Sequence, residues 1–200
     1  MAYSKNFYII SGCNGAGKTT ASYTILPEIL DCDEFVNADE IARGLSPFNP
    51  ESVAIEAGKL MLRRINDLLC KDKSFSIETT LATRTYARLV DEAHDNGFRV
   101  TLLYFWLSSP ELAVQRVAER KTHGGHGIPT ETIVRRYGRG INNLFKIYIP
   151  LVDSWIIADN THIPRSLIAE GGINKSTNII NAKLYESIQN HVRRGVQSAQ

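Results

Sequence analysis

Gly12-Cys13-Asn14-Gly15-Ala16-Gly17-Lys18-Thr19 decides how this chain is read. The octet is G-x-x-x-x-G-K-[ST] without a departure. Phe7-Tyr8-Ile9-Ile10 precedes it as a short apolar run, the pattern of a buried strand. Thr20 to Leu30 follows and can form a helix. Strand, glycine loop and helix together are the context in which this motif has physical meaning. Glycines let the loop curl until several backbone N–H groups point at phosphate oxygens, and the helix N-terminus adds partial positive charge there. Lys18 can reach the β- and γ-phosphates of ATP, and Thr19 can offer its hydroxyl to a nucleotide-bound Mg²⁺. Gly12 to Thr20 is the expected ATP-binding stretch.

Outward from the loop, the chain alternates strands with helices. Phe35-Val36-Asn37-Ala38 reads as a second strand with Asp39 at its end, and Ser46 to Pro50 as a loop. Glu51 to Lys71 repeats apolar residues at three- and four-residue steps, which predicts a helix. Ser74 to Ile77 is a strand that runs into Glu78-Thr79-Thr80, and Arg84 to Asn96 is a helix stopped by Gly97. Val100 to Leu107 (VTLLYFWL) is an unbroken apolar and β-branched run, as a parallel strand covered on both faces is. A helix begins at Pro110, capped by Ser108 or Ser109, and carries Arg116 and Arg120. Residues 122–129 form a glycine-rich loop, and a helix from Pro129 carries Arg135, Arg136 and Arg139. Ser154 to Ala158 is the last well-marked strand. Ser166 to Glu170 reads as a short edge strand and Lys183 to Val196 as a closing helix.

This alternation predicts an α/β fold with a mostly parallel sheet and helices on both faces: the P-loop NTPase fold. One domain is expected over 1–200, with a core at about 5–160 and a C-terminal extension over 161–200. In such sheets ligands sit at the carboxyl ends of the strands. Gly12, Asp39, Glu78-Thr79-Thr80, Ser108 and Asp159 should therefore line one edge.

Composition narrows the class. Hydrophobic residues make up 43% and charged residues 22%, as in ordinary globular proteins. A net charge of +2 argues against nucleic acid or an anionic membrane as partner. Cys13, Cys32 and Cys70 form no C-x-x-C pair and read as free thiols. No run approaches the ~20 apolar residues of a membrane span, and no cleavable leader pattern opens the chain. These features predict a cytoplasmic location.

The chemistry expected at the sheet edge is phosphoryl transfer. Asp39 is a candidate general base for an acceptor hydroxyl, or a helix cap. Glu78 faces either Mg²⁺ or the substrate, and Thr80 supplies a hydroxyl beside it. Arginines can meet the charge on the transferring group with a planar fork of donors. Arg116 with Arg120, and Arg135 with Arg139, each lie one helical turn apart, so the glycine loop between them reads as part of an arginine-bearing lid. His123 and His126 lack the further ligands that zinc requires. Cys13 has no base arranged for thiol catalysis.

GCNGAGKTT, VNADEIARGLSP, IETTLAT and RVAERKTHGGHGIPTETIVRRYGRGINNL together resemble the zeta toxin family of P-loop kinases, over roughly residues 5–160. The resemblance implies a fold like the nucleoside monophosphate kinases, with ATP-Mg²⁺ as donor. Family members characterised as toxins phosphorylate a hydroxyl of UDP-N-acetylglucosamine. Carried over, Lys18 is the loop lysine, Asp39 the base, Glu78 and Thr80 the substrate-binding E-x-T, and Arg120 and Arg136 the lid arginines. Arg43 and Arg84 join Asp39, Glu78 and Thr80 as substrate-binding candidates. The toxins carry an arginine where this chain has Ala82. The implied acceptor is a sugar nucleotide; another nucleotide, a nucleoside or a polyol is the alternative. A separate antitoxin protein is the implied partner. A reading of a different class is an ATP-binding regulatory component that acts through a protein partner. The ABC signature L-S-G-G-Q is absent.

Overall fold

The computed structural model describes residues 5–122 and 127–197. In chain order the elements are β1 (Asn6–Gly12), α1 (Lys18–Ile29), β2 (Phe35–Val36), α2 (Ala38–Leu45), α3 (Ala54–Cys70), β3 (Phe75–Thr79), α4 (Thr85–Asp95) and β4 (Arg99–Trp106). They continue with α5 (Pro110–Thr122), α6 (Thr130–Asn143), α7 (Ile149–Leu151), β5 (Ser154–Asp159), β6 (Ser166–Gly172), β7 (Lys175–Ile179) and α8 (Ala182–Gln197). A 3₁₀ turn at Pro50–Val53 leads into α3, and a π-helical turn at Leu144–Tyr148 joins α6 to α7.

Among the described residues seven strands form one sheet in the order β2-β3-β1-β4-β5-β6-β7. The first five are parallel; β6 and β7 are antiparallel. Apolar pattern decides which strands are central. β1 pairs with β3 on one side and β4 on the other, and Phe7, Ile9 and Ile10 are fully buried. In β4, Val100 and every residue from Leu102 to Trp106 is buried. A strand covered by helices on both faces must be apolar at odd and even positions alike. Phe7 stacks on Phe75 across β1 and β3, with ring centroids 4.6 Å apart.

Two strand expectations change. Ser166–Glu170 is not at the edge, because β7 pairs outside it. All five residues of β7 are exposed, so the strand carries no period-two apolar pattern to reveal it. Asp39 does not end β2; it is the second residue of α2.

Helices α5 and α6 bring the arginine-bearing segments toward the loop after β1. Helix α8 packs behind them, His191 against Tyr137 of α6 and Tyr185 against Phe145 of the π-helical turn, edge to face at 5.4 and 5.9 Å. Among the described residues no helix is long and apolar enough to cross a membrane.

Candidate functional site

The glycine loop leaves β1 at Gly12 and enters α1 at Lys18, as its sequence predicts. Gly12, Gly15 and Gly17 all have positive φ. Gly17 caps α1 at φ 74°, and a Cβ there would stand 2.7 Å from Nδ2 of Asn160. Only glycine meets both demands. Asn160 lies just beyond β5 and is buried; its Nδ2 donates to the Ala16 carbonyl at 2.6 Å and braces the loop. Thr20 stands exposed in the first turn of α1. The leading N–H groups of that helix have no intrahelical acceptor, which is why such an end attracts anions.

Lys18 is buried, and its ammonium donates to the Cys13 carbonyl at 3.0 Å. Burial pushes the Cys13 thiol up to about 11, against the opposing pull of Lys18 and Arg116. The thiol therefore stays protonated at neutral pH and is a poor nucleophile.

Glu78 lies on the next-to-last residue of β3, beside the loop. Its Oε2 accepts from Thr19 Oγ1 at 2.8 Å and from Asn37 Nδ2 at 3.0 Å; its Oε1 is 3.6 Å from Lys18 Nζ. The Lys18 and Glu78 side chains are only 7% and 9% exposed. Asn37 in turn caps α2: its Oδ1 accepts the Asp39 backbone N–H at 2.8 Å. The cap is thus Asn37, which frees the Asp39 carboxylate from that task.

Beyond Glu78 the chain turns sharply. Leu81, fully buried, takes φ 54°, a left-handed conformation that a branched residue adopts at a cost. The turn is held at both ends: the Leu81 N–H donates to Thr79 Oγ1, and the Leu81 carbonyl accepts from Asn143 Nδ2 at 2.6 Å. Gly140 allows α6 this close, since a Cβ there would meet the Thr80 carbonyl at 2.6 Å.

Two adjoining clefts open above these groups. The first, about 220 Å³, is lined by Asn14, Lys18, Asp39, Glu78, Thr80 and Arg136 among others, with Ala82 and Tyr86 in its wall. The second, about 240 Å³, is lined by Asp39, Arg43, Arg120 and Arg136, with Pro50, Ala54, Ile128 and Pro129 as its apolar part. Asp39 and Arg136 belong to both. Arg136 also donates to Asn14 Oδ1 of the loop at 3.3 Å. Burial, and next the nearby Asp39 carboxylate, raise the pKa of Tyr86.

The structure thus brings together Lys18, Thr19, Asp39, Arg43, Glu78, Thr80, Arg120 and Arg136. It leaves others out. Arg84 is the exposed residue before α4 and lines neither cleft. Arg116 spends its guanidinium on the Asn160 and Thr161 carbonyls, at 2.9 and 2.8 Å. Arg135 and Arg139 are exposed. Ser109, not Ser108, caps α5 by accepting the Leu112 N–H. Asp159 accepts the Thr161 N–H in a tight turn. His123 and His126 lie outside the described residues, among which no group of three or more His, Cys, Asp or Glu could hold a metal. Asn37, Tyr86 and Asn160 are site residues that sequence reasoning did not single out. Asn37 had a signal, an Asn directly before a helix start; Asn160 and Tyr86 had none.

This fold and loop define a P-loop protein of the kinase type. The family model described as zeta toxin matches residues 3–148, and the chain belongs to that family. An uncharacterized protein of Haemophilus influenzae is 28% identical over 126 residues, which are 63% of this chain and 88% of that protein. The AvrRxo1-ORF1:AvrRxo1-ORF2 complex, solved with sulphate ions, contains a chain of similar fold: TM-score 0.75, 18% identity, 94% of this chain covered. This chain spans 64% of that one. The PezAT toxin–antitoxin system of Streptococcus pneumoniae supplies another: TM-score 0.66, 14% identity, 96% and 88% covered.

Proposed function

We propose that this protein is a kinase that transfers the γ-phosphoryl group of ATP to a hydroxyl of a small molecule. One observation carries the reading: Asp39 and Arg136 line both clefts, so they stand where Lys18 and Glu78 on one side meet Arg43 and Arg120 on the other. A fold-related complex has also been solved with ATP. Thr19 and Glu78 offer hard oxygen donors side by side, which suits Mg²⁺. Thr19 and Glu78 would hold that ion, which, when bound with ATP, would offset the charge of the phosphates.

In this reading Lys18 and the loop N–H groups hold the β- and γ-phosphates. Asp39 accepts a hydrogen bond from the acceptor hydroxyl. As the new O–P bond forms, the hydroxyl proton passes to Asp39, and the bond from γ-phosphorus to the bridging oxygen breaks to leave ADP. Arg136 and Arg120 meet the charge on the moving group. Arg43 and Thr80 orient the acceptor with Glu78. Three arginines beside an apolar wall suit an acceptor with its own phosphates, and the family favours a sugar nucleotide such as UDP-N-acetylglucosamine. Ala82, where the toxins carry arginine, keeps another nucleotide, a nucleoside or a polyol as the alternative.

The test is incubation with ATP, Mg²⁺ and either UDP-N-acetylglucosamine or a metabolite extract, read by mass spectrometry. One species should gain a single phosphoryl group. Asp39→Asn should lose this activity by about 10²–10⁴-fold while still binding nucleotide. No transfer by the unaltered protein to any acceptor would reject the kinase reading. It would favour an ATP-binding component acting through a partner, as the toxin–antitoxin neighbour makes reasonable. A separate antitoxin and a cytoplasmic location accompany either reading.

A further inference from the structure

Asn37 is buried, 6% exposed, and its amide is used at both ends. Nδ2 donates to Glu78 Oε2 at 3.0 Å, and Oδ1 accepts the Asp39 N–H at 2.8 Å. The same Glu78 oxygen accepts from Thr19, and the other faces Lys18. A short chain of contacts therefore runs from the lysine and threonine of the glycine loop, through one carboxylate and one amide, to the backbone that carries the Asp39 carboxylate. Among the described residues no other side-chain hydrogen bond ties the start of α2 to β3. β2 is only two residues long and ends at Val36, so the ladder itself holds Asp39 weakly.

We infer that Asn37 is a positioning residue that couples occupancy of the phosphate loop to the placement of Asp39. The inference rests on the kinase reading above. Nucleotide phosphates attract Lys18, and a nucleotide-bound cation attracts Thr19. Either change removes partners from Glu78. Its carboxylate shifts as those partners change, and Asn37 transmits the movement to the first turn of α2. A plain helix cap would do none of this: Ser or Asp caps a helix as well as Asn does. What Ser lacks is the reach to Glu78, and what Asp lacks is the donor, since it would place one carboxylate against another.

The experiment is backbone amide NMR of the full chain, titrated with Mg-ATP, for the unaltered protein, Asn37→Ser and Asn37→Asp. The Gly17 amide should shift in all three, because the loop binds nucleotide in each. The Asp39 amide should shift in the unaltered protein and lose at least half of that shift in both variants. Equal Asp39 shifts in unaltered and variant proteins would overturn the coupling and leave the nucleotide reading intact. No Gly17 shift in the unaltered protein would overturn the nucleotide reading, and the coupling with it. Asn37→Asp retains a strong cap, so if Asn37→Ser fails to fold, the comparison stands on Asn37→Asp.

Discussion

Thr19 donates its hydroxyl to Glu78 across 2.8 Å, although 59 positions separate them in the chain. The bond joins the first turn of α1 to the end of β3, and with Lys18 nearby it forms a buried cluster at the centre of the site. Glu78 balances the charge of Lys18 there. Replacing it by Gln keeps the shape and removes the charge. Glu78→Gln should lower stability by about 1–3 kcal/mol in urea denaturation, because a buried ammonium loses its anionic neighbour. Nucleotide phosphates would restore negative charge at that place. ATP added without metal should therefore raise the Tm of the variant more than that of the unaltered protein. An equal or smaller rise would contradict this role for Glu78.

The arginines separate by position. Arg136 lines both clefts and touches Asn14 of the loop. Lys cannot reproduce its planar fork. Arg136→Lys should reduce kcat at least about tenfold, and Arg136→Ala by about 10²-fold or more. Arg84 lines neither cleft, and Arg84→Ala should stay within about twofold of the unaltered protein. Steady-state kinetics on the acceptor found by mass spectrometry checks both. A large loss at Arg84 would show that the closed, substrate-bound site is arranged differently.

The thiols should differ sharply in reactivity. Cys70 is exposed, whereas Cys13 is 2% exposed with its pKa pushed up to about 11. At pH 8 the Cys13 thiolate is about one part in a thousand. Iodoacetamide followed by peptide mass spectrometry should label Cys70 first and leave Cys13 almost untouched. Rapid labelling of Cys13 in the folded protein would mean that the loop opens far more than its contacts suggest.

Acid stability carries a signature remote from the site. Burial alone would raise the Asp153 pKa. The Val100 N–H, His94 and Arg99 together outweigh it and hold the carboxyl below its usual value. Asp153 Oδ2 accepts the Val100 N–H at 2.7 Å and lies 3.0 Å from His94 Nε2. A depressed carboxyl contributes stability that is complete above its unfolded pKa, about 4, and is lost as pH falls through the folded value. The Tm of the unaltered protein should thus decline below about pH 4. Asp153→Asn should be less stable at pH 7, and the gap between the two should narrow as pH falls. A gap that stays constant from pH 7 to pH 3 would refute this.

Local pattern alone made much of this protein legible. The octet at Gly12, its flanking strand and helix, and the apolar run of β4 follow from short-range rules: glycine for positive φ, and unbroken apolar residues for a strand covered twice. Parallel topology sends the carboxyl ends of the strands to one edge, which sets Asp39, Glu78 and Thr80 near the loop. Other features exist only through contacts between distant segments. β7 has no apolar alternation, and only its pairing with β6 makes it a strand. Arg116, Arg135, Arg136 and Arg139 look alike in sequence. Helix orientation and the nearby carbonyls of Asn160 and Thr161 decide that Arg136 enters the clefts while Arg116 does not. Asn37 resembles an ordinary cap until Glu78 arrives from β3. The sequence by itself determined the phosphate loop and the sheet that presents it. Tertiary structure alone decided which charged side chains meet there, because such meetings depend on side-chain directions across packed elements and not on spacing along the chain.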